Sequence, residues 1–293
     1  MKKNQKKPER IAITWHPKLP DAKTEAEAIL QAIHDEYPQV TSVAAYSLYD
    51  DAFHHNVKEK AFDLVITLGG DGTMLRTNKI CAPYDIPVCG VNMGSFGFMM
   101  EVQKNQWRRR LKDLIGGKWM IEERMMLNVK LIRQDGGKLE WEVLNDAVVG
   151  HGSQLRPIRV HVMISGNELT TYVADGLIVA TATGSTAYAM AAGGPIMEPE
   201  LRNILVIPVA PHLSLDRGLL LKESDVVEIT ATSNHEAIFS PDGAKGMILL
   251  PTDRIQIAAS QFNAKYIRFN SKGFFYRNFL QYMQRNPSAI GRN

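Results

Sequence analysis

The feature that most constrains the fold is the run Leu64-Val65-Ile66-Thr67-Leu68-Gly69-Gly70-Asp71-Gly72-Thr73-Met74-Leu75-Arg76. Its unbroken apolar and β-branched start reads as a strand buried on both faces, its glycines as a tight turn, and its end as a helix. A strand that runs through such a turn into a helix belongs to an open α/β sheet, and sheets of that kind bind ligands beyond the carboxyl ends of their strands. Glycine lets the backbone approach a ligand closely, and a helix N-terminus offers N–H groups and a positive dipole end. The turn therefore suits phosphate. It is neither of the two common phosphate-binding signatures, because no Gly-Lys-Ser/Thr and no G-x-G-x-x-G follows.

The neighbouring sequence agrees. Short β-branched runs at 11–14, 42–46, 64–68 and 88–91 alternate with helix-like stretches at 23–36, 73–80 and 103–115, which predicts a parallel sheet with crossover helices. Pro20-Asp21 and Gly116-Gly117 supply start and stop signals. Beyond residue 122 the pattern turns to short strands, among them 126–132, 141–149, 159–164, 168–172, 176–180, 204–209, 226–229, 248–250 and 255–258, with hairpin-like breaks at Gly136-Gly137 and Ser165-Gly166-Asn167. A stretch at 186–192 reads as a single helix among them. Phe274, Phe275, Phe279, Leu280 and Met283 fall at helical spacing. At 293 residues the chain fits two domains better than one core. The expected architecture is α/β plus all-β: a Rossmann-like parallel sheet domain over 10–122, completed by a C-terminal helix over 272–285, and a β-sandwich-like domain over 123–271.

Composition narrows the function. Apolar residues at 45% and charged residues at 22% are ordinary globular usage and exclude a disordered, collagen-like or coiled-coil chain. The net charge is +3, and Lys2, Lys3, Lys6, Lys7 and Arg10 all lie in the first ten positions. The rest is near neutral and carries no basic stripe, so no nucleic acid partner is expected. No apolar run approaches the roughly 20 residues that cross a bilayer, and the run 11–15 is too short for a secretion signal and stops at His16-Pro17. No membrane association is expected. Cys81 and Cys89 read as buried thiols, which points to a reducing cytoplasm. His54-His55 lacks metal-ligand company and reads as an exposed loop pair, and no metal ligand is assigned. His212, Ser214 and Asp216 lack a nucleophile elbow, which argues against a hydrolase.

Two stretches carry the chemistry. In the first, Asp71 is a carboxylate set where an anion should bind. Ionised at neutral pH, it can accept or orient a hydroxyl proton, which points to phosphoryl transfer onto an alcohol. The same residue is also a favoured helix cap, and the segment alone leaves both readings open. Arg76 stands within reach of a phosphate or in solvent. In the second, from Asp175 to Pro195, small and hydroxyl-bearing residues crowd a strand exit and a helix entrance around Tyr188. That composition suits a nucleoside better than a lipid tail. It also suits tight packing, with Ser185 as a cap.

Together with Gly69-Gly70-Asp71-Gly72-Thr73, the segments Asn92-Met93-Gly94-Ser95-Phe96-Gly97-Phe98, Leu144-Asn145-Asp146, Asp175 to Pro195, His212-Leu213-Ser214-Leu215-Asp216-Arg217 and Asp242-Gly243 make the chain resemble the bacterial NAD kinases, within the larger group of diacylglycerol and sphingosine kinases. The resemblance covers most of the chain. It implies transfer of a phosphoryl group from ATP, or from polyphosphate, to the 2′-hydroxyl of the adenosine ribose of NAD, giving NADP, with Mg²⁺ or another divalent cation. Asp71 would be the catalytic residue, beside Gly70, Gly72 and Arg76. Asn145, Asp146, Thr186, Ala187, Tyr188 and Ala191 would surround the dinucleotide, with Asp175 and Ala210 toward its nicotinamide end. Arg156, ten residues after Asp146, is a weaker candidate for a phosphate contact, with Arg159 an equal alternative. The domain 123–271 would then bind the dinucleotide, and the enzyme would be a homodimer or homotetramer. Asp146 stands where the family has Glu, Ala191 where it has Ser, and Ala244 where it has Gln. A lipid kinase of the same group and a non-catalytic dinucleotide sensor are the alternatives.

Overall fold

The computed structural model describes residues 7–94, 97–212 and 215–269, together with Phe275 and Phe279. The chain divides into two compact units, Met1–Glu123 with Ala264–Asn293, and Arg124–Asn263.

In the first unit β1 (Arg10–Trp15), β2 (Ser42–Ser47), β3 (Leu64–Gly69) and β4 (Val88–Asn92) run parallel in the order β2-β1-β3-β4. They alternate with α1 (Pro20–Glu36), α2 (Asp51–Lys58) and α3 (Asp71–Cys81), and β5 (Val102–Gln103) and α4 (Trp107–Ile115) follow. α1 opens on Pro20, whose missing N–H is harmless in a first helical turn. Its buried Ala22, Ala26, Ile29 and Ile33 form one apolar stripe, packed with Ile11, Ile13, Leu64, Ile66 and Leu68. All six residues of β3 are buried, as a strand covered on both faces requires. The register places Gly69 level with Asn92, so the ends of β3 and β4 open on one edge. α2 departs from the sequence expectation, and His54-His55 lies in this helix instead of a loop. Only Phe53 and Val57 are buried there, too few to show a period.

The second unit is built from β6 (Met120–Ile132), β7 (Lys138–Val143), β8 (Asp146–His151), β9 (Ile158–Ile164), β10 (Asn167–Ala174), β11 (Gly176–Ala180), α5 (Tyr188–Ala191), β12 (Asn203–Val209), β13 (Leu219–Lys222), β14 (Val227–Thr232), β15 (Ala237–Pro241), β16 (Met247–Leu249) and β17 (Arg254–Arg268). One antiparallel sheet has the order β13-β12-β11-β8-β15-β16; a second layer has β10-β9-β14-β17, with β6 paired to β17 and β7. Val160, Val162 and Ile229 of the second layer share a core with Val149, Leu177, Val179, Val206 and Phe239 of the first, which is sandwich packing. β11 is buried on both faces: Leu177 and Val179 enter that core, while Ile178 and Ala180 meet Ala189, Met197, Leu205 and Ile207 behind it.

β6 starts and β17 ends in the first unit, where Tyr266 aligns parallel with Val88. The helix expected at 186–192 is divided. A 3₁₀ turn, Gly184–Thr186, precedes α5, and Ala187 between them has φ −100° and ψ −127°. The hydroxyls cause the break: Ser185 Oγ donates to the Ala182 carbonyl at 2.7 Å and Thr186 Oγ1 to that of Thr183 at 3.2 Å, bonds that compete with regular helix. Of the expected helix over 272–285 only Phe275 and Phe279 are described, both helical, with ring centroids 6.0 Å apart; the remainder, like Ser95-Phe96 and Leu213-Ser214, lies outside the described residues. Among the described residues no helix is long and apolar enough to cross a membrane.

Candidate active site

At the open edge of the first unit, β3 ends on Gly69, Gly70 is the N-cap with φ −118° and ψ −169°, and α3 starts at Asp71. A Cβ on Gly69 would stand 2.2 Å from Thr73 Oγ1, so no larger residue fits. A Cβ on Gly70 would meet nothing within 4 Å, which leaves the mouth of the helix open. Asp71 is not the cap. Its Oδ2 accepts the N–H of Phe98 at 2.8 Å and its Oδ1 the N–H of Met99 at 2.9 Å, so the segment after β4 fixes the plane of the carboxylate. Gly97 leaves no slack: a Cβ there would lie 2.5 Å from Asp71 Oδ1. The strand ends are tied by Met93 N–H to the Gly69 carbonyl at 2.9 Å, and Gly94 N–H closes a local turn on Asn92 Oδ1 at 3.0 Å. Arg76 is exposed and bends back over the turn, its Nη1 3.9 Å from where a Gly72 Cβ would be. Burial, then the charges of Arg76 and Lys18, hold His16 below the usual imidazole range.

The second unit gathers another group of candidates at one end of its antiparallel sheet, because the register sets Asp146 opposite Ala180 and Ala147 opposite Pro241. There Asp242, at φ +49°, accepts the N–H groups of Leu144 at 3.0 Å, Asn145 at 2.7 Å and Asp146 at 3.3 Å. Its own N–H donates to the Asp146 carbonyl at 2.8 Å. Thr181 Oγ1 donates to the Leu144 carbonyl at 2.6 Å and accepts the Gly184 N–H at 3.1 Å. Gly184 is obligatory, since a Cβ there would come within 2.1 Å of the Asn145 carbonyl oxygen. Asp146 is 5% exposed. Burial first, and the nearby Asp242 second, push its pKa up to about 6 against the opposing hydrogen bond of the Tyr188 backbone. Among the described residues, Asn145 Oδ1 and Thr183 Oγ1 are buried without a hydrogen-bond partner. Each such group costs about 1–3 kcal/mol, a cost that a polar ligand seated there would remove. Tyr188 presents an exposed ring, Thr186 and Ala187 are half-buried, and Ala191 is exposed on α5.

Three further candidates lie apart from Asn145. Asp175 precedes β11, whereas Thr181 follows it, and the five intervening residues at about 3.3 Å each separate the two ends by roughly 17–20 Å. Ala210, at φ +46°, follows β12 at the Asp175 end, where the Asp175 N–H donates to the Val209 carbonyl at 3.0 Å. Arg156 is exposed in the loop after β8, also away from Asn145. Conversely, Gly97, Thr181 and the amides of Phe98 and Met99 shape the site without having been singled out as site residues. Asp242 was visible only as part of a motif.

A strand, glycine turn and helix on an α/β unit, and a cluster of buried polar groups on a β-sandwich, are the parts expected of a two-domain phosphotransferase. Residues 14–119 match the family model of the ATP-NAD kinase N-terminal domain, and residues 144–269 that of the ATP-NAD kinase C-terminal domain. The chain is 40% identical over 217 residues to an NAD kinase of Heliobacterium modesticaldum, covering 74% of this chain and 77% of that protein. It is 35% identical over 221 residues to one of Natranaerobius thermophilus, covering 75% and 77%. In fold it is similar to yeast NADH kinase complexed with NADH, with a TM-score of 0.82 at 22% identity over 98% of this chain and 91% of that one. An NAD kinase from Archaeoglobus fulgidus in complex with ATP gives 0.72 at 25% identity, over 96% and 100%. The chain belongs to the NAD kinase family.

Proposed function

We propose that this chain forms NADP by moving the terminal phosphoryl group of ATP to the 2′-hydroxyl of the adenosine ribose of NAD, with Asp71 taking or orienting the hydroxyl proton. Phosphorylation of NAD with ATP as donor follows from membership of the family. Phosphoryl transfer asks a protein mainly for position and for neutralisation of oxygen charge. Gly70 and Gly72 open the α3 N-terminus to the donor's phosphates, and Arg76 adds a positive charge beside them. Asn145, Asp146 and Tyr188, with Thr186, Ala187 and Ala191, are read as holding the dinucleotide. The observation that carries the role of Asp71 is its pair of amide bonds: a carboxylate kept in one orientation at a phosphate turn, without capping the helix, is built to receive a hydroxyl.

The divalent cation that the resemblance implies finds no cage here. Among the described residues no group of three His, Cys, Asp or Glu could hold a metal ion. The ion would travel with the donor's phosphates. Inorganic polyphosphate is the other donor to assay. The separation of Asp175 and Ala210 from Asn145 supports an assembly of two or four copies in which these residues serve a neighbouring copy's dinucleotide. Cys81 and Cys89 are buried free thiols that burial pushes well up in pKa, which supports a cytoplasmic setting.

The test is Asp71→Asn, assayed for NADP formation from ATP, Mg²⁺ and NAD. Turnover should drop roughly 10²–10⁴-fold, the range for a general base, with NAD binding retained. Turnover within tenfold of the parent would remove Asp71 from the mechanism.

A further inference from the structure

We propose that Arg268 is a positioning residue for this phosphoryl transfer, fixing the backbone of Met99 through its carbonyl while the N–H of the same residue holds Asp71. The inference rests on the reading of Asp71 as the catalytic carboxylate. Arg268 is the last residue of β17. One arm of its guanidinium, Nη1, donates to the Met99 carbonyl at 3.0 Å and to Glu101 Oε2 at 3.2 Å; the other, Nη2, donates to Glu122 Oε1 at 3.0 Å. The second oxygen of Glu101 accepts the Phe269 N–H at 2.9 Å, and the Tyr266 hydroxyl lies 3.6 Å from Met99 Sδ. Tyr266, Arg268 and Phe269 thus grip residues 99–101 from one strand end, and Met99 in turn grips Asp71 at 2.9 Å.

The chemistry of the triad argues for positioning over stability. Arg268 is 11% exposed and Glu101 only 2%. Buried ion pairs add little net stability compared with apolar residues of similar volume. What a planar, forked guanidinium does supply is direction, because it can hold a carbonyl and two carboxylates only in one arrangement. Burial alone would disfavour the charge on Arg268, but Glu122 and Glu101 outweigh it, so the fork stays charged. With Gly97 packed against Asp71 and the amide of the braced Met99 on its Oδ1, the carboxylate has one place to be. A misplacement of about 1 Å from a residue remote from the reaction can cost on the order of a hundredfold in rate.

The experiment compares full-length Arg268→Met, Arg268→Lys, Gly97→Ala and Asp71→Asn. Turnover per folded molecule and KM for NAD and for ATP are measured, together with hydrogen exchange of the Met99 amide. Arg268→Met should lose roughly ten- to a hundredfold in turnover, with both KM values within about twofold and faster exchange at Met99. Arg268→Lys, which keeps the charge without the fork, should fall between. A folded Arg268→Met with the parent's turnover would overturn the proposal, as would a loss carried equally by KM and turnover. If Arg268→Met does not fold, Arg268→Lys is judged by the same criteria. Reduced turnover in Asp71→Asn and Gly97→Ala but not at position 268 defeats this inference alone, whereas Asp71→Asn within tenfold of the parent defeats the reading of Asp71 itself.

Discussion

Holding Asp146 nearly buried beside Asp242 lifts its pKa from the ordinary 3.8 to about 6, with a consequence for stability as well as binding. Between those two values the folded protein keeps a proton that the unfolded chain has released. Stability from this group is therefore complete below about pH 4, falls through the window and is lost above about pH 6. A gap of that size between the folded and unfolded chain is worth about 3 kcal/mol. Asp146→Asn retains an acceptor for the Tyr188 N–H and removes the buried charge. Its melting temperature should exceed the parent's by several degrees at pH 8 and by much less at pH 4.5, while KM for NAD rises at least tenfold. An equal gain at both pH values would show that the charge is not the cause. Residue identities were legible here, since Asp71, Asn145 and Asp146 stand in motifs. Their partners were not: Asp71 is held by peptide N–H groups 27 and 28 residues further on, and a backbone amide leaves no mark in residue type.

The turn between β3 and α3 separates two jobs that adjacent glycines perform. Gly69→Ala drives a methyl into the buried Thr73, 2.2 Å from Oγ1, an overpacking that costs about 1–3 kcal/mol and should lower the melting temperature. Gly70→Ala has open space around it and a φ of −118° that any residue accepts. Its melting temperature should match the parent's, while KM for ATP rises about tenfold as the methyl blocks approach of a phosphate to the helix N-terminus. A Gly70→Ala enzyme with normal KM would place the phosphates elsewhere. This element was the most legible in the sequence, because a fully buried strand, a glycine turn and a helix leave little else to fold into. α2 was hidden by its brevity. β15 ends on Pro241 just before Asp242 at φ +49°, and those turn residues masked a strand that registers fully with β8. β17 runs 15 residues where the pattern showed only four, since partial exposure breaks its alternation.

For the molecule as a whole, the distance of roughly 17–20 Å along β11 between Asp175 and Thr181 bears on assembly. If Asp175 serves a neighbouring copy, a mixture of Asp71→Asn and Asp175→Ala chains, each inactive alone, should regain part of the parent's turnover. Hybrid assemblies then contain some sites with both residues intact. Failure to complement would confine each site to one chain. The order of the two units along the chain has its own outcome. Residues up to Glu123 leave the ribosome first, yet the strand end that lies beside Val88 and carries Arg268 begins at Ala264. At roughly 5–20 residues per second, the early half waits about seven to thirty seconds for that strand end. A nascent chain, however far its sandwich has folded, lacks that strand end and the hold of Arg268 on Met99 until residues 264–269 have emerged.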